Sequence, residues 1–516
     1  MTAFIRARDG WWILGLVVGA LVVRLGLWPW SMVADADAVS RLFMAREWLD
    51  RPIWLDNGVW LPLNTYLNAA VSALSGDHLR APVLLNMVLA SLTVIPFYFF
   101  VKLEFPPRAA VFAAAAWALS PVVLRNSFMP MSDVQFGFFL AAALWAVAAW
   151  RRRGQRWWQV VAAGLLVTLA GMLRYEAWLL IPFLALAFRH RWRHLVVFVL
   201  LASLFPLCWM AGNYRYTGDL FFGTHAAAHW EQQVEGRNDA VDWGVVGDRA
   251  LMFVAIFGAG MSPLLALLSL GGACLAWRDR ASYRFWSLVA AGLTVLLLFK
   301  TLDGSLAWRM RYIIGLLLLL LPFAALPLLR LRRRAVAAVL GGLLVASLVP
   351  FSYARPYLPN CWTKYVPEHI AAVPVLPVKT RRLADRVRAL VAHGKQPFIC
   401  DFIGGSWGDT YYLALTAGHH PSRIFIAPGG RHEPLDVRRL TDFLRRHPAG
   451  ILLLQDGTRF ARQLALAPSA DAPAGPVVPI AAQPLERQAD ITFYRYHPPP
   501  PAEADNPTVR PQLVVE

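Results

Sequence analysis

The segment SMVADADAVSRLFMAREWL, residues 31–49, sets Asp35 and Asp37 two residues apart just past an apolar run that begins at Trp11. Paired acids there have two uses. They cap the helix that follows, Asp35 as N-cap and Asp37 in the first turn, where the helix dipole favours a negative charge. Alternatively they do chemistry: one carboxylate takes the proton of an incoming hydroxyl or amine, and a second helps hold a magnesium or manganese ion through oxygen. Other candidates lie far away in the chain. Asp133, in MPMSDVQF, opens a later apolar run and reads equally as a cap. Arg174 and Glu176, in LRYEAW, interrupt another and read equally as a local ion pair. Arg309, Arg311 and Tyr312, in AWRMRYIIG, begin a third, and Arg125 stands near the end of a fourth. Guanidinium groups suit phosphate, because their planar fork gives paired, charge-assisted hydrogen bonds.

The elements that must position these groups are membrane helices. Of 516 residues, 57% are hydrophobic and 16% charged, against about 25% charged in soluble domains. The apolar excess falls in blocks of about 20, the length that crosses a bilayer core. The pattern predicts spans at 11–30, 82–101, 109–127, 133–150, 157–173, 177–188, 195–213, 250–276, 285–302, 311–329 and 335–351. The net charge of +18 sits mostly in short runs between blocks, such as Arg151–Arg153 and RLRRR at 330–334. That is the signature of cytoplasmic loops and gives no reason to invoke nucleic acid. The alternate connections, 31–81, 128–132, 174–176, 214–249 and 303–310, are mixed or acidic and face outward. Arg125, Arg174, Arg309 and Arg311 are therefore on the side that the orientation rule disfavours. The second arm of the 157–188 hairpin has about 12 residues, roughly 18 Å of helix, less than a bilayer core. Its apex is expected to be sunken, where charges are tolerated only facing a cavity or partner. No small-x-small cleavage site follows the first run, which reads as a retained span.

Beyond the spans, PFICDF, RIFIAP and GILLLQ read as strands at 397–402, 423–428 and 450–455, separated by helical patterns at 406–416 and 434–446. The alternation predicts a small parallel sheet in an outer α/β domain over 352–496, with a Pro-rich tail at 497–516 that reads as disordered. IGGSWGD at 403–409 fits no phosphate-loop spacing and reads as a turn. Cys361 and Cys400 fall in this outer region, where a disulfide between them is one option. Cys208 and Cys274 fall in apolar spans. His225 and His229 have the i, i+4 spacing of metal ligands, but lack further ligands nearby in sequence.

Asp37 is followed by Arg46 and Glu47 on a helix with apolar Val39, Leu42, Phe43 and Leu49, a helix suited to lie on the membrane surface. With WLPLNTYL (Pro62, Tyr66), Asp133, Arg174, YTGDLFF at 216–222 and Arg311-Tyr312, taken in order, residues 10–350 resemble the GT-C membrane glycosyltransferases. They are most similar to the branch of protein O-mannosyltransferases and lipid A aminoarabinose transferases. WLPLNTYL lacks the second proline usual in that branch. The resemblance implies a GT-C-type helical domain of about 11 membrane helices over 1–351, including the 31–81 loop. It implies a bacterial inner-membrane enzyme that moves a sugar, with inversion, from a polyprenyl-phosphate donor to a periplasmic glycan, lipid or protein acceptor. Asp37 would be the base, or Asp35 if the register is shifted. Arg174, Arg311 and Tyr312 would bind the lipid phosphate, and Asp133, Glu176 and Tyr66 would position the acceptor or, for the two acids, Arg174. Asp35 or Asp133 would be the place for a divalent cation. Buried charges also suit a transporter or flippase of anionic solutes, and a degenerate relative would serve as a non-catalytic assembly subunit.

Overall fold

A computed structural model of the chain describes residues 7–31, 36–54, 58–235, 243–279, 281–304, 306, 310–329, 333–336, 338–339, 342, 378–391, 396–403, 407–417, 421–427, 437–464 and 481–497. Asp35, Arg309, Cys361, most of the span expected at 335–351 and all but the first residue of the 497–516 tail lie outside these. The chain divides into two compact units, one of residues 1–31 with 53–374, the other of residues 32–52 with 375–516.

The first unit is helical. Its elements are α1 (Ala7–Leu27), then α3 (Leu63–Ser75), α4 (Arg80–Leu92), α5 (Val94–Glu104), α6 (Pro107–Leu119), α7 (Pro121–Ser127), α8 (Ser132–Arg152), α9 (Trp157–Gly171) and α10 (Glu176–Ala185). They are followed by α11 (Trp192–Thr217), α12 (Phe222–Glu235), α13 (Trp243–Met261), α14 (Pro263–Asp279), α15 (Ala281–Leu302) and α16 (Ile314–Leu328). α2 (Ala36–Asp50) belongs to the second unit. Among the described residues, six helices are long and apolar enough to cross a membrane, or eight if each of two bent pairs counts as one span. One bent pair is α6 and α7, which meet at 51°, with prolines at the first position of each, where the missing N–H is harmless. The other corrects the reading of 250–276 as one straight span. It is two helices meeting at 97°, broken at Ser262, whose φ is 73°, and Pro263.

α9 and α10 are short, at 15 and 10 residues. Their junction, Leu173–Tyr175, comes to lie inside the unit, with Arg174 and Glu176 buried. α8 is the central strut, packed on α4, α5, α9 and α16. Its last turn brings Arg151 and Arg152 to Glu104, at the end of α5, which also accepts a hydrogen bond from the hydroxyl of Ser282, in the first turn of α15.

The second unit is α/β. It contains α17 (Val378–Leu390), β1 (Phe398–Cys400), α18 (Trp407–Thr416), β2 (Ile424–Ile426), α19 (Val437–Arg446), β3 (Gly450–Gln455), α20 (Arg459–Leu464), β4 (Ala481–Gln488) and β5 (Ile491–His497). The sheet order is β2-β1-β3-β5-β4. The first three strands are parallel, with Phe398 opposite Ile424 and Ile451. β5 and β4 then add antiparallel, with Leu452 opposite Tyr494. The sheet is thus mixed where a parallel one was expected, because the last two strands are joined by a tight turn at Ala489–Asp490, which makes a hairpin. Cys400 is a buried free thiol.

α2 packs on α18. Ala38, Val39, Leu42 and Ala45 are buried, and Phe43 meets Tyr411 with ring centroids 6.3 Å apart. The stripe read as a membrane-surface face is consumed by the second unit: small residues at 38 and 45 let the helices approach closely. Residues 31–81, expected to stay with the helical domain as one loop, are accordingly divided, 32–52 folding with the α/β elements.

At the end of β1, Asp401 is fully buried and accepts hydrogen bonds from the backbone N–H of Phe402 (2.7 Å) and Gln455 (2.9 Å) and from the Thr458 hydroxyl (2.6 Å). Burial pushes its carboxyl up to about 6, and the neutral donors only partly offset it.

Candidate active site

Three distant segments of the helical unit meet around Arg174. The α9–α10 junction supplies Arg174 itself and Glu176, the first residue of α10, where an acid also suits the helix N-terminus. Arg174 donates from Nε (2.8 Å) and Nη2 (2.6 Å) to Glu176 Oε1. From Nη1 it donates to Asp133 Oδ1, in the first turn of α8. Asp133 is completely buried, and its Oδ2 has no hydrogen-bond partner among the described residues. The third segment is Met310–Ile313, a 3-10 turn leading into α16. Its Tyr312 ring lies under the Arg174 guanidinium at 4.7 Å and beside that of Arg311 at 5.7 Å. Arg311 Nη1 also approaches the Met131 sulfur at 3.8 Å. A guanidinium has five N–H bonds, and the contacts above use three of those on Arg174.

Asp133, Arg174, Glu176, Arg311 and Tyr312, expected on separate motif grounds, therefore form one cluster. The ordinary reading of Arg174 holds as well, since it pairs with Glu176, whereas Asp133 stands in the first turn of α8 without capping it. What local pairing does not require is the third partner and the tyrosine.

Around the cluster, the 53–66 segment is tied to the α9–α10 junction. Leu63 N–H donates to the Met172 carbonyl (3.1 Å) and the Tyr175 hydroxyl to that of Val59 (3.4 Å). Tyr66, at the start of α3, donates its hydroxyl to the Trp54 carbonyl and packs edge-on against Trp54 at 5.3 Å. It thus fixes the loop conformation. α12 closes in at Gly223, where a Cβ would collide with the Tyr175 hydroxyl and the Gly58 carbonyl. Asp37 lies in the first turn of α2, in the second unit. Arg125 is buried in α7. His225 pairs with Asp219 at 2.7 Å.

Among the described residues, no three of His, Cys, Asp and Glu are grouped to hold a metal ion. Asp133 and Glu176 both face the cation of Arg174, which a dication would have to displace, so these residues do not fit a metal site as they stand. The sequence reading passed over Tyr175 and over Asn64, Asn68, Asn86 and Gln135, all four of the latter fully buried near Asp133. Their signal was present: uncharged amides inside apolar helices need partners.

Residues 51–210, which contain Asp133, Arg174 and Glu176, match the family model described as dolichyl-phosphate-mannose-protein mannosyltransferase. No curated protein matches the chain by sequence. Among solved structures, the chain is similar to ArnT from Cupriavidus metallidurans in the apo state, with a TM-score of 0.63 and 14% identity over 95% of this chain and 98% of that one. It is similarly close to the same protein bound to undecaprenyl phosphate, with a TM-score of 0.61 and 14% identity over 94% and 98%. The chain therefore has the fold of ArnT over nearly its whole length and, over residues 51–210, matches the dolichyl-phosphate-mannose-protein mannosyltransferase family model.

Proposed function

We propose that this multi-pass protein of the bacterial inner membrane transfers a sugar from a polyprenyl-phosphate-linked donor to an acceptor at the periplasmic face, with inversion. The observation that carries the reading is Arg174: buried, held by two carboxylates and a tyrosine ring, with N–H bonds left over. A guanidinium fixed in advance stabilises charge as it develops on a leaving phosphate without reorganising. Arg311 adds a second cation and Tyr312 orients both. Similarity to ArnT, whose structure is also known bound to undecaprenyl phosphate, and to the dolichyl-phosphate-mannose-protein mannosyltransferase family model supports a lipid-phosphate donor.

In the step proposed, the acceptor oxygen or nitrogen attacks the anomeric carbon. The bond from that carbon to the phosphate oxygen breaks, and its electron pair leaves on the phosphate. The acceptor proton goes to Asp37, or to Asp35. A single displacement inverts the anomeric centre. Asp133 and Glu176 hold Arg174, and Tyr66 holds the loop at 53–66. No step is routed through a metal ion.

The test is transfer from a radiolabelled pool of polyprenyl-phosphate sugars by the purified protein, compared with Asp37→Asn and Asp35→Asn. Covalent transfer abolished by one of these substitutions in folded protein is the expected result. Solute flux without transfer would mark a transporter instead, and an inert wild type a non-catalytic subunit.

A further inference from the structure

Four buried amides stand behind the Asp133 end of α8. Asn64 and Asn68 are one turn apart on α3, Asn86 is in α4, and Gln135 is two residues past Asp133. They bond to one another: Asn64 Nδ2 donates to Gln135 Oε1 (3.1 Å), Asn68 Nδ2 to Asn64 Oδ1 (3.3 Å), and Gln135 Nε2 to Asn86 Oδ1 (3.0 Å) and Asn68 Oδ1 (3.4 Å). What they hold is a short stretch of backbone. Asn86 Nδ2 donates to the carbonyls of Met129 and Met131 (3.0 Å to the latter), and Asn68 Nδ2 to that of Pro130 (3.2 Å). Three successive carbonyls of the turn between α7 and α8 are thus fixed by side chains from two other helices.

Packing alone does not ask for this. Four amides in an apolar interior are tolerable only when satisfied, and an apolar set of the same shape would leave three backbone carbonyls without these donors. What the network adds is a single permitted backbone path for Met129–Met131. That path sets where Asp133 begins its helix, and Met131, at its end, is the residue whose sulfur Arg311 approaches.

We propose that Asn68, Asn86 and Gln135 are positioning residues for the phosphate site, acting through the 129–131 turn on Asp133 and hence on Arg174. The proposal rests on the lipid-phosphate reading above. A residue that acts only through Asp133 has nothing left to act on once Asp133 is replaced, so its effect vanishes in that background. A residue that merely stabilises the bundle adds its effect to any other.

The experiment measures binding of undecaprenyl phosphate to detergent-purified protein for wild type, Asn86→Ala, Asp133→Asn and the double variant, with thermal unfolding recorded for each. Expected are a roughly tenfold weaker Kd for Asn86→Ala and a double variant no weaker than Asp133→Asn alone. Additive losses, or an unchanged Kd in folded Asn86→Ala, would overturn the proposal. If Asn86→Ala does not purify as folded protein, Asn68→Ala, which frees one of the three carbonyls, that of Pro130, with its amide bonds to Asn64 and Gln135, is read by the same criteria with a smaller expected loss. A wild type that ignores undecaprenyl phosphate would instead sink the functional reading, and this inference with it.

Discussion

α8 carries a buried carboxylate–arginine cluster at each end, and the two are built in opposite proportion. At its last turn one acid, Glu104, takes two arginines: Arg152 by a fork of 3.1 and 2.9 Å, and Arg151 at 3.7 Å. Ser282 adds a hydroxyl, and Arg151 is stacked on Phe285 at 4.0 Å. The cluster joins the ends of α5, α8 and α15, and cations suit the end of a helix. At the first turn one arginine takes two acids, and all three are buried. Each end leaves one acid oxygen, Glu104 Oε1 or Asp133 Oδ2, without a hydrogen bond among the described residues. The contrast separates two purposes that buried ion pairs serve. One end fastens helices together, with Arg152 open to solvent. The other encloses its arginine at a place where a helical hairpin has been cut short.

The contrast is sharpest in what removal of each arginine or acid does. Arg174→Ala leaves two buried acids unpaired. Transfer from a lipid-phosphate donor is expected to fall roughly a hundredfold or more, read as kcat/KM on protein that still purifies folded; normal donor kinetics would erase the distinction between the ends. Glu104→Ala leaves two arginines facing each other. It is expected to destabilise the helical unit by about 1–3 kcal/mol, seen in thermal or denaturant unfolding, while turnover per folded molecule stays near wild type. Lost turnover in folded Glu104→Ala would mean that this end too is functional.

A third buried carboxylate provides a control without arginine. Asp401 sits among neutral donors, and its carboxyl is pushed up to about 6, above the ordinary value of about 4 for an unfolded chain. The folded protein therefore keeps a proton that the unfolded chain loses between those pH values. The second unit is expected to be most stable below about pH 4 and to lose up to about 3 kcal/mol as pH rises to about 6. Urea unfolding followed by near-UV signals from that unit measures this, and Asp401→Asn flattens the profile. A profile that rises over the same window would show that hydrogen bonding outweighs burial there. The smallest effect is Tyr312→Phe. The ring under Arg174 is kept, so donor affinity changes by less than about 1 kcal/mol, whereas Tyr312→Ala loses about 1–2 kcal/mol of cation–π contact. An equal loss in both would assign the role to the hydroxyl.

Much of the Asp133 end was legible in the chain because it violates expectation in one dimension. Charges interrupting apolar runs need only hydropathy and charge counting to find. The short second arm of the 157–188 hairpin likewise announced a sunken apex by its length. The amide network was not legible as a network, since Asn64, Asn86 and Gln135 come from three helices and become partners only when those helices pack. The 97° break at Ser262 was hidden because serine before proline is compatible with a straight apolar helix in composition. α2 misled for a related reason: an apolar stripe states that a face is buried, not against what. Here the answer lay over 350 residues downstream, at Tyr411.

That pairing bears on how such proteins are recombined. A chimera that exchanges the α/β region of this chain for a relative's would strand α2 without the α18 surface it packs on, where Phe43 meets Tyr411. The heritable module is therefore discontinuous, and residues 32–52 must travel with 375–516 for a graft to fold.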